Sequence, residues 1–466
     1  MTNPASVAAL EVVVLAAGKG TRMRSAKPKV LQPLGGEPML AHVLRAVSAL
    51  MPRQVHLVVG HGQAEVRAWA SVHSQAALPL IWVEQSEQLG TGHAVRLSAS
   101  GWAAESVIVV AYGDVPLITP QTLSRAAASA RQQVVIISAK VDNPAGYGRI
   151  VRDGQGRVSA IVEEADATPA QKSIAEINTG VIAAPASWLA AWLNALTNDN
   201  PKGEYYLTDI IAMAVADGRP VEALCAADAA ELEGVNDRQQ LARAERQLQL
   251  QRAAALMRDG VTLADPARVD VRGVVVAGQD VSIDVGCIFE GRVVLGDNVQ
   301  IGPYCLLRDV TLGDGAVIES HSVLEDVVAE RHVHVGPFAR LRPGTRLAAA
   351  AKVGNFVETK KAIVGAGSKI NHLSYVGDAE LGVDVNVGAG TITCNYDGAN
   401  KHLTRIGDRA FIGSNSALVA PVEIGADATI GAGSVIAKPA PAGQLTVSRS
   451  KQLSLPGWQR PTKSKS

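Results

Sequence analysis

The chain has 466 residues, enough for two or three domains, and its 44 basic residues balance its 44 acidic residues, so nothing indicates a nucleic-acid or anionic-membrane partner. The four cysteines, Cys225, Cys287, Cys305 and Cys394, are scattered without a CxxC pair, which favours reduced thiols in a cytoplasmic protein over a disulfide framework. No apolar run is long enough to cross a bilayer and Glu11 interrupts the apolar N-terminal stretch, so we expect neither a membrane span nor a signal peptide.

The first predicted element is an all-apolar strand, Val12–Leu15, of the kind that is buried in parallel sheets. It leads directly into a glycine-rich loop, Ala16–Met23. Such a loop can bind phosphate, because backbone N–H groups without a neighbouring Cβ approach phosphate oxygens closely. The loop matches neither the Walker P-loop nor GxGxxG. Arg22 within it and Lys29 shortly after it add cations, which makes phosphate binding the more specific interpretation.

Further apolar strands alternate with helical stretches through the first half of the chain. They are predicted at His56–Val59, Leu80–Val83, Ser106–Ala111 and Val134–Ile137. This alternation of strands and helices predicts a Rossmann-like, mostly parallel α/β sheet, whose ligands bind at the carboxyl ends of the strands. Polar or glycine-rich segments follow these strands and are expected to line a nucleotide site: Gln85, Leu89–His93, Tyr112–Asp114 and Gly146–Arg149. Taken alone, Asp114 is better explained as a helix N-cap or turn residue, and only its context favours a ligand role.

Apolar residues at helical spacing then predict a long connecting helix over Asp237–Arg258. We interpret it as a spacer without chemistry of its own. It divides the chain into a first domain over residues 1–236, a helical linker over 237–258 and a second domain over 259–466.

From about Val281 to Ile436 an aliphatic residue, usually followed by glycine, recurs every six positions, with a mostly small residue four places after the aliphatic one. This period predicts a parallel β-helix, in which about three hexapeptides close one triangular coil and coils stack at ~4.8 Å. The aliphatic residue fills the core, and the glycine is expected to relieve a Cβ clash at the turn. The repeat is interrupted at 342–353 and at Cys394–His402, and both segments are predicted to be loops on the functional face of the β-helix. Flat coils suit three-fold association, so we expect a homotrimer with sites at its seams.

The segment Leu15–Met23, followed by Pro28 and Lys29, resembles the signature of the sugar-1-phosphate nucleotidyltransferases. Joined to a C-terminal hexapeptide repeat, it is similar to the family of bifunctional bacterial N-acetylglucosamine-1-phosphate uridyltransferases/glucosamine-1-phosphate acetyltransferases, from about residue 11 to the C-terminus. The resemblance implies a Rossmann-like domain followed by a left-handed parallel β-helix. It also implies two reactions. The β-helix domain transfers acetyl from acetyl-CoA to the amine of glucosamine 1-phosphate, and the first domain then transfers uridylyl from UTP to N-acetylglucosamine 1-phosphate.

By the same resemblance, Asp114 and Asn236 bind Mg²⁺, a hard ion that keeps much of its water and phosphate shell. Glu163 and Asn178 bind the sugar, and Gly203–Asp209 shapes the pocket. The other implied contacts of the uridyltransferase site are Leu15, Ala16, Ala17, Gly18, Arg22, Lys29, Gln85, Gly90, Thr91, Tyr112, Gly113 and Gly148. No protein nucleophile is needed, since Mg²⁺, Lys29, Arg22 and backbone amides stabilise the charge and position the reactants in line.

In the β-helix, a lone histidine is more often structural than catalytic. The resemblance nevertheless implies that His372 is the general base and that the carboxylate of Glu358 orients it. Arg342 and Lys360 hold the sugar phosphate, and Tyr375 and Asn386 complete the sugar site. The implied acetyl-CoA contacts are Ala389, Asn395, Tyr396, Ser414, Ala432 and Arg449. The chain departs from the family pattern at Lys352, where a histidine is usual, and at Glu164-Ala165, and neither departure falls on an assigned position.

Two other hypotheses remain. The chain is a monofunctional sugar-phosphate nucleotidyltransferase whose β-helix only oligomerises, or it is a degenerate scaffold without activity. His372, Glu358 and the 394–402 loop argue against a passive β-helix. The intact Gly18–Arg22 segment, with Lys29, Asp114 and Asn236, argues against a scaffold.

Overall fold

The structure is a computed structural model that describes residues 9–73, 78–200 and 202–461. It divides into two compact units, Met1–Leu248 and Gln249–Ser466. The division falls inside the long helix Arg238–Arg258, within the segment 237–258 that the sequence predicts to be a linker. Among the described residues, no helix combines the length and apolar character needed to cross a membrane.

The first unit is an α/β sheet flanked by helices. Its strands are β1 (Leu10–Leu15), β2 (Pro33–Leu34), β3 (Glu37–Pro38), β4 (Gln54–Val59), β5 (Leu80–Glu84), β6 (Val107–Tyr112), β7 (Val134–Lys140), β8 (Arg149–Arg152), β9 (Val158–Val162), β10 (Glu176–Pro185) and β11 (Val221–Cys225). The helices are α1 (Met39–Ser48), α2 (Gln63–His73), α3 (Thr91–Ser98), α4 (Pro120–Ser129), α5 (Pro169–Lys172), α6 (Ala186–Ala195), α7 (Asp209–Ala216) and α8 (Arg238–Arg258).

The main sheet has the order β11-β7-β10-β6-β1-β4-β5, in which only β10 runs antiparallel to its neighbours. The prediction of a mostly parallel sheet is therefore confirmed. Strand β1 is apolar throughout its centre because Val12 and Val14 pack into one core and Val13 and Leu15 into another, on opposite faces of the sheet. Leu15 lies beside Tyr112 at the ends of β1 and β6, so the loops that follow these strands are neighbours.

The second unit is the predicted left-handed parallel β-helix. Its strands are β12 (Thr262–Leu263), β13 (Val269–Ala277), β14 (Ser282–Ile283), β15 (Cys287–Leu295), β16 (Gln300–Ile301), β17 (Leu306–Leu312), β18 (Val317–Ile318), β19 (Val323–Ala329), β20 (His334–Val335), β21 (Arg340–Leu341), β22 (Thr345–Leu347), β23 (Lys352–Asn355), β24 (Glu358–Val364), β25 (Lys369–His372), β26 (Tyr375–Leu381), β27 (Asn386–Val387), β28 (Ile392–Cys394), β29 (Thr404–Ile406), β30 (Phe411–Ile412), β31 (Ala417–Val419), β32 (Val422–Ile424), β33 (Thr429–Ile430), β34 (Val435–Ile436) and β35 (Leu445–Thr446). Ile283 pairs with Ile301 and Ile301 with Ile318, so one coil takes 17 or 18 residues, or three hexapeptides.

The glycine that follows the aliphatic residue relieves a Cβ clash, as expected, but the clash is with the next coil. A Cβ added to Gly365 would lie 2.1 Å from the carbonyl oxygen of Gly382 in the next coil, so glycine is required for one coil to stack on another. The left-handed backbone of the turn occurs two residues later, as at Gly367 with φ 69° and at Asn298 with φ 57°.

One of the two predicted interruptions is wrong. Residues 342–353 form an ordinary coil, because β20 pairs with β23 through Val335 and Val353, a separation of 18 residues. The six-residue pattern of large aliphatic residues is hard to see there, because the sequence reads Ala348–Ala351. Ala351 is nevertheless fully buried in the core. The second interruption is an insertion: Val387 pairs with Ile412, so the coil that contains Cys394–His402 holds 25 residues.

Candidate active sites

A cavity of about 260 Å³ opens at the carboxyl ends of β1 and β6 in the first unit. Its lining includes most of the residues that the sequence assigns to nucleotide binding: Leu15, Ala16, Ala17, Gly18, Lys29, Gln85, Gly90, Thr91, Tyr112 and Asp114. Val30, Gln88 and Ala94 also line it and were not predicted, whereas Glu204 belongs to the Gly203–Asp209 segment that is expected to shape the pocket. Arg22 is exposed in the turn Thr21–Met23, outside this lining. Gly113 is buried behind it, where its N–H donates to the carbonyl of Leu15 at 2.9 Å.

The loop that contains Gly90 is fixed from two sides. The buried side chain of Gln85 donates from Nε2 to the carbonyl oxygen of Gly90 at 3.1 Å. On the other side, Gly92 N–H donates to the carbonyl of Tyr205 at 2.8 Å. Gly90 has φ 105°, and an added Cβ would lie 2.6 Å from the Tyr205 oxygen. A Cβ added to Gly92 would lie 2.9 Å from the same oxygen, so both glycines allow the Gly203–Asp209 segment to pack against this loop.

Three side chains from distant parts of the chain meet at the expected magnesium site. The ammonium of Lys29 donates to the carboxylate of Asp114 and, at 3.1 Å, to Oδ1 of Asn236. Val235 N–H donates to the Asp114 carbonyl at 2.8 Å, which brings the Asn236 loop to the end of β6. One carboxylate and one amide oxygen thus converge on a single cation. No cluster of three or more His, Cys, Asp or Glu side chains suited to a metal occurs in the described ranges.

Tyr112 senses both this cation site and a second polar cluster, because the charges of Asp114 and Glu163 both act on its phenol. Its ring packs on Gly180, where an added Cβ would lie 2.7 Å from the ring. Burial raises the pKa of the Tyr112 phenol, and the negative charges of Asp114 and Glu163 raise it further. The phenol therefore stays protonated, and both carboxylates are close enough to influence it.

The expected sugar-binding residues form that second cluster. The backbone N–H of Asn178 donates to the carbonyl of Gly148 at 2.8 Å, and a Cβ added to Gly148 would lie 3.5 Å from Oε1 of Glu163. The buried hydroxyl of Thr208 donates to the same Oε1 at 3.1 Å. The sequence did not single out Thr208, because nothing local indicates that its hydroxyl meets a carboxylate 45 positions away.

Cations cluster on one face of the β-helix. Arg342 pairs with Glu358 at 2.8 Å across adjacent coils. The pKa of Lys360 is lowered first by the charge of Lys401 and then by that of Arg342. Lys401 was not predicted. It belongs to the inserted segment, where a β-bridge pairs it with Tyr396. The insertion therefore adds a third cation to the expected phosphate site.

The inserted segment Cys394–His402 is held by its own hydrogen bonds. The carboxylate of Asp397 accepts from Asn400 N–H at 2.6 Å, from His402 at 2.6 Å and from Ala399 N–H at 2.8 Å, which together hold its pKa well below the usual range. The hydroxyl of Tyr396 donates to the carbonyl of Gly398 at 2.6 Å. The insertion is a closed turn that presents Lys401.

The orientation of His372 differs from the expectation. Its Nδ1 lies 2.7 Å from Oδ1 of Asn355, whereas the sequence assigned the orienting role to Glu358. The strand register explains the difference: Asn355 lies opposite His372 in the β23–β25 pair, whereas Glu358 lies opposite Tyr375 in the β24–β26 pair. Glu358 is instead bonded to Arg342. Asn355 was missed because only the register brings it next to His372.

The expected acetyl-CoA residues stack along one corner of the β-helix, which we call the corner strip (Ala389, Ser414, Ala432). Three backbone hydrogen bonds connect successive coils at this corner. Gly390 N–H donates to the His372 carbonyl at 3.3 Å, Asn415 N–H to the Ala389 carbonyl at 2.7 Å, and Gly433 N–H to the Ser414 carbonyl at 2.8 Å. A Cβ added to Gly433 would lie 3.8 Å from Cδ of Arg449. The strip therefore runs from His372 to Arg449, while Asn386 pairs beside it in β27.

Both halves of the chain are similar to known families. The MobA-like NTP transferase domain family matches residues 12–247, and the bacterial transferase hexapeptide (six repeats) family matches residues 293–326 and 403–438. Proteins called bifunctional protein GlmU are similar over nearly the whole chain. Those of Alkalilimnicola ehrlichii, Marinobacter nauticus and Chromobacterium violaceum are 58%, 53% and 52% identical over 453, 455 and 454 residues. Each match covers 97% of this chain, and 97%, 99% and 99% of the respective relative.

Proposed function

The chain belongs to the family of the bifunctional protein GlmU, and from this membership and the geometry of its two sites we infer that it makes UDP-N-acetylglucosamine in two steps. The second unit transfers the acetyl group of acetyl-CoA to the amine of glucosamine 1-phosphate. The first unit then transfers uridylyl from UTP to N-acetylglucosamine 1-phosphate and releases pyrophosphate. The observation that carries this proposal is the side chain of His372, held at Nδ1 by Asn355, in the part of the β-helix that also clusters Arg342, Lys360 and Lys401. A β-helix that only oligomerised would need neither the held imidazole nor the clustered cations.

For uridylyl transfer, the phosphate oxygen of the sugar phosphate attacks the α-phosphorus of UTP. Backbone amides of the Ala16–Gly18 loop and the side chains of Lys29 and Arg22 stabilise the charge that develops on the phosphates. Gln85 holds the loop at Gly90 against the base, and Glu163 and Asn178 bind the sugar hydroxyl and N-acetyl groups. Positioning the two phosphates in line is the main contribution of the protein, and no covalent intermediate with the chain is formed.

The residues present fit a magnesium ion, because the carboxylate of Asp114 and the amide oxygen of Asn236 already converge on one cation. Two protein oxygens suit Mg²⁺, which keeps several water or phosphate ligands. When bound, the ion would neutralise charge on the α-phosphate and on the leaving pyrophosphate.

For acetyl transfer, Arg342, Lys360 and Lys401 bind the phosphate of glucosamine 1-phosphate, and Tyr375 and Asn386 contact the sugar. The amine nitrogen attacks the thioester carbonyl carbon, and its proton passes to Nε2 of His372. The carbon–sulfur bond then breaks, and the proton leaves with the CoA thiolate as a thiol. Acetyl-CoA lies along the corner strip and reaches Asn395, Tyr396 and Arg449.

We also propose that the chain works as a homotrimer in the cytoplasm, with small-molecule substrates and without nucleic-acid or membrane partners. Two observations support this. Phe338 and Phe356 stack at 5.4 Å between ring centroids on one corner of the β-helix, each about half exposed, which suits burial against another copy. The four cysteines are free thiols.

The proposal is tested by supplying the purified protein with glucosamine 1-phosphate, acetyl-CoA, UTP and Mg²⁺ and identifying the products by mass spectrometry. Formation of UDP-N-acetylglucosamine that requires every component supports both activities. Formation of the nucleotide sugar only when N-acetylglucosamine 1-phosphate is supplied would favour the monofunctional hypothesis.

A further inference from the structure

The backbone around His372 is fixed by the coils above and below it. Its carbonyl accepts from Gly390 N–H at 3.3 Å and from the hydroxyl of Ser374 at 2.8 Å. On the preceding coil, Asn355 lies directly opposite, and its carbonyl accepts from Leu373 N–H at 3.1 Å. With the backbone held in this way, side-chain contacts determine how the imidazole ring is turned and which of its nitrogens carries the proton.

The side chain of Asn355 provides such a contact, since its Oδ1 lies 2.7 Å from Nδ1 of His372. An amide oxygen can only accept, so this hydrogen bond requires the proton on Nδ1. The neutral ring then presents an unprotonated Nε2, which is the form that a general base needs. A carboxylate at the same place would also accept from Nδ1, but its charge would favour the imidazolium and reduce the fraction of free base at neutral pH.

The nearest alternative orienting group is Glu358, and its contacts direct it elsewhere. Its carboxylate is bonded to Arg342 at 2.8 Å and lies opposite Tyr375 in the sheet. Placing it on His372 would break this ion pair in the proposed phosphate site. The contacts therefore separate two tasks: Glu358 holds a phosphate-binding cation, and Asn355 holds the base.

We propose that Asn355 is a positioning residue for acetyl transfer, which accepts a hydrogen bond from Nδ1 of His372 and fixes the tautomer whose Nε2 removes the proton of the amine. This inference rests on the proposed function, in which His372 is the base. It assigns a role to a residue that is not expected to touch either substrate.

The test compares Asn355→Leu, which removes the acceptor, with Asn355→Asp, which keeps it and adds a charge. The matched control is Asn371→Leu. Asn371 is the residue just before His372, and its buried Oδ1 has no hydrogen-bond partner in the described part of the chain. Thiol release from acetyl-CoA is followed at saturating and limiting substrate and over a range of pH, and pyrophosphate release from supplied N-acetylglucosamine 1-phosphate is followed in parallel.

We expect Asn355→Leu to lower kcat for acetyl transfer about 100-fold, with both KM values changed less than threefold and pyrophosphate release unchanged. Asn355→Asp should recover at least a tenth of the wild-type kcat and move the acidic limb of its pH profile to higher pH, because a carboxylate favours the imidazolium. Asn371→Leu should resemble wild type. Retention of kcat within threefold in Asn355→Leu overturns the inference, as does an Asn355→Asp enzyme with an unshifted pH profile.

Wild-type protein and His372→Ala separate this inference from the proposed function. If wild type releases no thiol, or if His372→Ala releases it normally, the proposed function itself is wrong. If Asn355→Leu does not fold, the pH profile of Asn355→Asp decides the inference alone.

Discussion

The ammonium of Lys29 donates a hydrogen bond to the carboxylate of Asp114, although the two residues are 85 positions apart in the chain. The same ammonium donates to Oδ1 of Asn236 at 3.1 Å. Lys29 therefore occupies the position on which both proposed magnesium ligands converge. A divalent ion held by these two ligands would have to displace this ammonium, which would then be available to the phosphates of a nucleotide.

We therefore predict that Lys29→Met binds Mn²⁺ about tenfold more tightly than wild type in the absence of nucleotide, because a competing charge is removed. The affinity is measured from the electron paramagnetic resonance signal of free Mn²⁺ during a titration. Lys19→Met, a change of an exposed lysine in the same loop, is the matched control and should bind like wild type. An unchanged or weaker affinity in Lys29→Met would show that the lysine does not compete for this site.

The hydrogen bond from Thr208 to Glu163 predicts a defect confined to the sugar phosphate. Thr208→Val keeps the shape of the side chain but frees the carboxylate, so KM for N-acetylglucosamine 1-phosphate should rise about tenfold, with little change in KM for UTP. Thr122→Val is the matched control, because it removes a buried threonine–glutamate bond to Glu231 of 2.7 Å elsewhere in the same unit. Initial rates of pyrophosphate release distinguish the two variants. Equal effects of both changes on KM would mean that Thr208 acts only through stability.

Lys401 is predicted to bind the phosphate of glucosamine 1-phosphate. Its charge is the largest influence that lowers the pKa of Lys360, so the two ammonium groups face the same space, and a bound dianion would relieve their repulsion. Lys401→Met should raise KM for glucosamine 1-phosphate about tenfold while KM for acetyl-CoA stays within twofold. Lys352→Met, at an exposed lysine of β23, should leave both values unchanged. Normal KM for the sugar phosphate in Lys401→Met would remove Lys401 from the site.

Glu11, the one acidic residue in the apolar first strand, predicts how the first unit responds to acid. Burial alone would raise its pKa, but hydrogen bonds from Ala103 N–H, His56 and Ser106 lower it overall. The ionised form therefore stabilises the folded state above the unfolded pKa of about 4.3, and this contribution is lost as pH falls through the lower folded pKa.

Glu11→Gln should lower the free energy of unfolding of the first unit at pH 7 by about 2–4 kcal/mol, since it removes a buried charge from its partners. Its midpoint in urea should also depend less steeply on pH between about 5 and 3 than that of wild type. Tryptophan fluorescence reports mainly on this unit, because Trp458 alone of the six tryptophans lies in the other. Glu37→Gln, at an exposed pair with Arg45, is the control. Equal acid sensitivity of Glu11→Gln and wild type would contradict this account.

The sequence predicted those features that depend on local patterns. The hexapeptide period specifies the β-helix because every sixth side chain must enter the same core. The phosphate-binding loop after β1 is recognisable from its glycines and from Lys29. The contacts that it missed are set by register and long-range packing. Asn355 meets His372 only because one coil lies above another, and Thr208 reaches Glu163 across 45 positions. The error at 342–353 has a different, local origin, since alanine at position 351 fills a core position that a larger aliphatic residue usually marks.

The most direct test of the central claim, two separate activities in one chain, compares wild type with His372→Ala and Asp114→Ala. Thiol release is measured with glucosamine 1-phosphate and acetyl-CoA, and pyrophosphate release with UTP, Mg²⁺ and supplied N-acetylglucosamine 1-phosphate. We predict that His372→Ala loses only thiol release and that Asp114→Ala loses only pyrophosphate release. A wild-type protein that releases pyrophosphate but never thiol would contradict the claim and leave the β-helix without a catalytic role.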